Sequence, residues 1–390
     1  MKAFSFLPVL LAILAALPLR AVPTDSAAVP ANPMDSVEIG LLTCAPHDEV
    51  YSLYGHTALR CHNLHSGEDL VFNYGIYNFK KPHFVLRFVF GLTDYELGVA
   101  PTLPFCNYYA QWGSQVTEQV LDLTGAEKQR LVEALRTNYL PQNRVYRYNF
   151  FYDNCSTRPR DMLERCIDGE VVYAPRPDYA PSFRQMVGTC TEGSHWATFG
   201  NDILLGVKAD LATTQREQQF LPANLRHDID RAVVVRDGVS RPLVKERREL
   251  VPAGVQTTST VFPLRPIVCA LLLLAVSLVV FGYEQMRHTV VRWFDVLLMV
   301  AAGLAGCILF VMLFSQHPTT STNLQLLLLN PLPLLFVWQV VRGRRSRWFT
   351  ISLCLTIAFL VCALWQDYAE GLEVVAVCLL LRYIRHAHDK

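Results

Sequence analysis

FFYDNCSTRPRDMLERC, residues 150–166, places a single Cys between an aromatic run and a helix start. VYRYNFFY (145–152) reads as a strand. STRPRDMLERCIDG (156–169) reads as a helix, with Thr157 as cap, Pro159 in the first turn and Gly169 ending it. Cys155 therefore stands just before the helix. Unsatisfied amides and the positive end of the helix dipole favour a thiolate there, which is the nucleophilic form of Cys. The same amides can hold an oxyanion.

A nucleophilic Cys also needs a base, usually His, oriented by a third group. The polar part of the chain offers His47, His56, His62, His65, His83, His195 and His227. His56, in LYGHTALR at the start of a predicted strand, is the best placed. HTALRCHN (56–63) and DLVFNYGIY (69–77) read as strands joined by a His-Ser-Gly-Glu turn, which leaves His62 and His65 solvated at the hairpin end. Asn73 on the second strand is the expected orienting group, with Asp69 as the alternative. Asn154, Arg158 and Tyr54 are candidates for oxyanion or substrate binding. Arg160 and Asp161 read as an ion pair bracing the helix. Taken singly, a Cys before a helix is more often a buried small residue, and a Gly-His on a strand more often structural. The ordered set of His, a polar residue on the next strand, and Cys about 100 residues later carries the reading.

Composition sets the wider frame. The chain has 390 residues, 52% of them hydrophobic, and a formal net charge of +1. That balance gives no electrostatic basis for nucleic-acid binding. The apolar excess sits at the two ends. Residues 1–21 read as a secretory signal peptide: one Lys, then an apolar run too short to span comfortably. Residues 22–36 read as a flexible Pro/Ala/Ser lead-in. Residues 37–262 have the mixed composition of a globular domain, and residues 263–390 are dominated by apolar runs. Within the globular part VEIGLLTC (37–44) reads as a buried strand, and GAEKQRLVEALRTNYL (125–140) as a helix capped by Thr124.

The C-terminal runs suggest spans at 264–283, 293–314, 324–341, 348–365 and, as a shorter fifth, 371–384, giving four or five transmembrane helices. Arg287, Arg292, Arg342, Arg344, Arg345, Arg347, Arg382, Arg385 and Lys390 would all fall on one side, and the loops 315–323 and 366–371 carry no basic residue. The basic side should be cytoplasmic, which puts the globular domain outside, in agreement with the leader. In the stretch 315–335, His317 lies in an outward loop and Asn330 interrupts an apolar run beside Pro331 and Pro333. This is either a polar-lined groove for a lipid or a Pro-kinked helix whose Asn caps freed carbonyls. His317 is kept as a secondary site. There are 11 Cys, with no CxxC or Cys/His metal spacing. An oxidising compartment permits disulfides, whose connectivity the sequence leaves open. Asp202 and Asp210 could bind a cation but read better as structural caps. Phe88, Phe90, Tyr108, Tyr109 and Trp112 could form an acyl-chain pocket, or simply core.

His first, then a strand, then Asn-Cys opening a helix resembles the circularly permuted papain-like (NlpC-type) arrangement. More closely, GLLTCAPHDEVYSLYGHTALR, DLVFNYGIYNF and FFYDNCSTRPRDMLE resemble the periplasmic domain of the Lnb family, the lipoprotein intramolecular transacylases. The likeness covers roughly residues 36–225. It implies an α+β, permuted papain-like outer domain followed by an all-α multi-span membrane domain, located in the bacterial inner membrane with the catalytic domain periplasmic. It implies acyl transfer to the α-amine of the lipidated N-terminal Cys of a lipoprotein, with no cofactor. The substrates would be lipidated lipoprotein N-termini, with phospholipid as the other acyl donor. His56 and Cys155 match the family's His and Cys, and Asn73 the Asn of its FNYG motif.

Two rival functions remain open. One is a membrane-tethered cysteine peptidase or amidase acting on the cell wall, which should survive truncation near residue 262. The other is a non-catalytic lipid-binding protein in which Cys155 is disulfide-bonded, for instance to Cys166 or Cys190.

Overall fold

The computed structural model describes residues 32–77, 82–256, 262–344 and 346–387. The leader read at 1–21 and most of the lead-in lie outside them.

The N-terminal domain is mixed α/β. Its strands are β1 (Val37–Cys44), β2 (His56–Asn63), β3 (Asp69–Ile76), β4 (Asp94–Pro101), β5 (Val116–Leu121), β6 (Val145–Arg147), β7 (Glu170–Val172), β8 (Val233–Arg236), β9 (Val239–Pro242) and β10 (Val244–Val251). Seven form one antiparallel sheet in the order β10-β5-β1-β2-β3-β4-β6. β7, β8 and β9 form a small second sheet. β1 lies between β5 and β2 and is covered on both faces, which is why it reads as a near-continuous apolar run. β10 is an edge strand whose sequence, VKERRELV, is charged. Charge at an edge opposes pairing with other chains.

Helices α1 (Phe84–Val89), α2 (Thr102–Gln111), α3 (Gly125–Tyr139), α4 (Thr157–Cys166), α5 (Phe183–Thr191), α6 (His195–Leu204), α7 (Gln215–Gln218) and α8 (Pro222–Asp230) complete the domain. α3, α4 and α8 pack Leu131, Leu135, Leu163 and Leu225 against Leu41, Leu59 and Leu97 of the sheet. On the opposite face α2 packs Phe105, Cys106 and Tyr109 against Leu42, Ala58 and Val71. The start of α3 is fixed by a reciprocal capping box between Thr124 and Glu127. The run 145–152 is a strand only to Arg147, after which the backbone turns.

The C-terminal part is helical: α9 (Pro266–Arg287), α10 (Arg292–Met312), α11 (Pro333–Val341), α12 (Trp348–Cys362) and α13 (Leu372–Ala387). α9 and α10 are long and apolar enough to cross a membrane, with mean hydropathies of 2.5 and 2.4. The stretch 324–341 is not one continuous helix. A short 3-10 turn at Leu324–Leu327 precedes Asn330 and Pro331, and α11 follows. Asn330 Oδ1 accepts from the Leu332 amide at 3.2 Å and its Nδ2 donates to the Leu327 carbonyl at 3.4 Å. Its amide thus caps the break rather than lining a groove.

Arg382, expected in a basic tail, is instead 2% exposed. It bridges Glu284 of α9 and Asp295 of α10, each at 2.6 Å, and His386 meets the other Asp295 oxygen at 2.9 Å. Charges held at such depth need partners, and here they join three helices.

The two parts meet along α6. Phe199, Ile203 and Leu204 pack on the helical core. Gln325 and Asn323 donate to the carbonyls of Asp202 and Ile203, and Gln366 to that of Leu205, at 2.8–3.0 Å. The Gly206 and Val207 amides donate to the Thr319 and Thr322 carbonyls at 2.8 Å.

One buried ion cluster ties the sheet together: Arg60 on β2 pairs with Asp69 on β3 at 2.7 Å and Glu118 on β5 at 2.9 Å. Removing one partner of a buried pair leaves charge uncompensated, at about 3–5 kcal/mol. Arg60→Ala is therefore expected to lower the melting temperature of the detergent-solubilised protein by about 10 °C. Arg236→Ala, which breaks the exposed pair with Asp168, should change it by no more than about 2 °C. Equal small shifts would contradict the assignment of Arg60 as a buried keystone.

Candidate active site

His56 opens β2, and Asn73 lies on the neighbouring β3. Asn73 Oδ1 lies 2.5 Å from His56 Nε2. With Nε2–H donating to that oxygen, Nδ1 is the ring nitrogen left for the thiol. Cys155 reaches the same place from the other direction, just before α4, and hydrogen-bonds His56. Asp69, the alternative orienting group, is committed to Arg60 and Thr102.

What fixes Cys155 is a pair of buried hydroxyls. Thr57, next to His56, and Ser156, next to Cys155, sit with their oxygens 3.0 Å apart. The Thr57 amide and the Ser156 hydroxyl also donate to the Cys155 sulfur. The start of α4 is organised by Asn154. Its Oδ1 accepts from the Ser156 and Thr157 amides at 2.8 and 3.0 Å, and its Nδ2 donates to the carbonyls of Phe150 and Phe220. This corrects two expectations. Asn154, not Thr157, supplies the helix cap, and both amide hydrogens of Asn154 are engaged, so its side chain lines the site without offering an oxyanion donor. α4 also ends at Cys166, earlier than Gly169.

Gly75 completes the junction. Its φ of +99° is in the left-handed region that favours Gly. A Cβ there would lie 3.7 Å from Cys155 Cβ and 3.9 Å from His56 Cε1, filling the space beside the pair.

Burial disfavours charge on both His56 and Cys155. Their opposite charges, their mutual hydrogen bond and, for His56, the bond to Asn73 outweigh it, so the thiol is lowered and the imidazole raised from their ordinary values. Both shifts run toward the thiolate and the imidazolium. Cys155 is a free thiol, as are Cys166 and Cys190.

The pair opens into a cleft of about 310 Å³ whose walls include Tyr77, Tyr95, Tyr108, Tyr109, Tyr148 and Phe150 on one side and Phe220, Leu221 and Pro222 on another. Trp112 backs it by stacking on His47 at 4.6 Å. Phe90 lies instead at the seam with the helical part, where its carbonyl accepts from the Gln316 amide; the Phe88 side chain falls outside the described residues. Tyr54 lines the cleft and its hydroxyl accepts from Asn201 of α6 at 2.8 Å. Burial pushes the Tyr54 phenol up to about 12, which keeps it neutral.

Other candidates fall elsewhere. Arg158 pairs doubly with Asp153 at 2.6 and 2.8 Å, lies over the Tyr146 ring at 3.6 Å and borders a separate groove. His317 is not part of the cleft wall; its loop abuts Gly91. Asp202 and Asp210 both bind Arg184, and Arg160 pairs with Asp161. Among the described residues no His, Cys, Asp or Glu group is arranged to hold a metal ion. Sequence reasoning missed Thr57, Ser156, Gly75 and the wall from Phe220 to Pro222. Gly75 had a signal, standing two residues after Asn73, whereas the hydroxyl pair had none.

Residues 26–183 match the family model of the Lnb N-terminal periplasmic domain, and residues 256–389 match that of the Lnb transmembrane domain. No curated protein and no solved structure matches the chain. The Phe220–Pro222 wall lies between the two matched regions.

The electrostatics predict selective labelling. Cys155 should react with iodoacetamide near pH 7 faster than the buried thiols Cys44 and Cys106, which burial raises. His56→Ala removes the counter-charge, leaving burial to raise the thiol, so the Cys155 labelling curve should move to higher pH. A curve unmoved by that substitution would remove the ion pair.

Proposed function

Since the chain belongs to the Lnb family and carries an outside domain joined to a transmembrane domain, we propose that it is a lipoprotein N-acyltransferase acting through a Cys155 thioester. The observation that carries this reading is the joining of Cys155, His56 and Asn73 at the mouth of an aromatic cleft. The order of His, Asn on the next strand, and Cys at a helix start also supports a circularly permuted papain-like fold.

The chemistry starts from the ion pair. The Cys155 thiolate attacks the carbonyl of a glyceryl acyl ester. The ester C–O bond breaks as the S–C bond forms, and the leaving alkoxide takes the proton of the His56 imidazolium. The α-amine of the lipidated Cys then attacks the thioester. Its proton passes to neutral His56, the C–S bond breaks and the ion pair is restored. Asn73 holds Nε2–H throughout, which keeps Nδ1 toward the sulfur. The substrate is anchored in the outer leaflet of the inner membrane, and the domain rests on its helices through α6, on the side that faces that leaflet.

Mass spectrometry of a lipoprotein N-terminal peptide tests this. Cells carrying the wild type should show an N-acyl group. Cys155→Ala should abolish it, and His56→Ala should slow transfer by about 10²–10⁴-fold. One acyl chain left on the glyceryl group marks transfer within the same lipoprotein, and two mark a phospholipid donor. Equal N-acylation in all three strains would end the transferase reading and favour cell-wall hydrolysis by the same pair.

A further inference from the structure

A second cavity lies at the far end of the helical bundle. It is bounded by the α9–α10 turn, the α11–α12 turn and the end of α13, through Val290, Arg292, Gly343, Arg344, Thr350 and His386 among others. The N-terminal domain meets the opposite end, at Thr319, Thr322, Gln325 and Gln366. Between the two ends runs α10, whose 21 residues span about 30 Å. The cavity therefore faces the leaflet away from Cys155.

Its volume is about 290 Å³, enough for a headgroup, and none of its lining residues is a carboxylate. Neither Arg292 nor Arg344 has a carboxylate partner among the described residues. Asp295, the carboxylate that meets His386 of the lining, is also bound by Arg382. Ser346 and Thr350 add hydroxyls, while Val340, Phe349 and Leu353 give an apolar wall beside the cationic mouth. The chain makes room for one cation in particular. Gly343 has a φ of +65°, and a Cβ there would lie 2.6 Å from the Arg292 guanidinium carbon. Two guanidinium groups and two hydroxyls in one lining suit a phosphate oxyanion. The apolar wall suits an acyl chain attached to such a phosphate, and basic pockets on this side of a bundle recognise anionic lipids.

We propose that this cavity binds the phosphate of an anionic phospholipid from the leaflet opposite the catalytic domain. The site is independent of the reaction at Cys155.

Native mass spectrometry of the full-length protein, released from nanodiscs of mixed phosphatidylglycerol and phosphatidylcholine, reads it directly. Wild type should retain phosphatidylglycerol in preference to phosphatidylcholine. Arg292→Gln with Arg344→Gln should weaken retention about tenfold or more, and Gly343→Ala, which displaces Arg292, should weaken it in the same direction. Arg287→Gln, outside the cavity, should leave it unchanged. Unaltered retention in both cavity variants overturns the site, provided each elutes as folded protein. Displacement of the bound species by millimolar inorganic phosphate, with no preference between the two lipids, assigns the site to free phosphate and overturns the lipid proposal.

Discussion

The buried contact between the Thr57 and Ser156 hydroxyls is where the outer domain's architecture becomes chemistry. Each hydroxyl belongs to the residue after one of the paired groups, His56 and Cys155. Joining them fixes the first turn of α4 against the first residues of β2, although 99 positions separate the two in sequence. Every other feature of the site serves that junction. Asn154 shapes the approach to α4, Asn73 fixes the imidazole, and Gly75 leaves the space between them open. By holding the two groups together, the junction offsets the burial that alone would disfavour charge on each.

The junction is also tied to the membrane part. α6 presents its last carbonyls to Asn323, Gln325 and Gln366, and from the same helix Asn201 reaches Tyr54 in the cleft. One helix thus carries the contact with the bundle and a hydrogen bond to the cleft wall. For the proposed reaction on a substrate held in a leaflet, this contact sets the height of the cleft above the helices.

Much of this was legible in the chain. The hairpin from His56 to Ile76 follows from a short turn between two strand-like runs, and it alone brings His56 and Asn73 to adjacent strands. Helical periodicity with Thr124 as a cap announced α3. Other features were hidden for physical reasons. Asn154 folds its amide back on its own backbone, a local choice that an Asn beside a Cys does not reveal. VKERRELV of β10 shows no apolar alternation because its charges are held by other charges, Arg248 by Glu38 of β1 and by Glu246 of its own strand. Arg382 looked like a tail charge because its partners, Glu284 and Asp295, lie about 90 residues earlier. Asn330 and Pro331 broke a run whose hydropathy alone read as continuous.

The central claim is that the acyl chain passes through Cys155. The most direct measurement is peptide mass spectrometry of the purified full-length protein, mixed with a diacylated lipoprotein and quenched in acid at early times. The account predicts a Cys155 peptide carrying one acyl group, removed by neutral hydroxylamine and lost as N-acylated lipoprotein accumulates. N-acylated product forming while that peptide stays unmodified at every time point would contradict it.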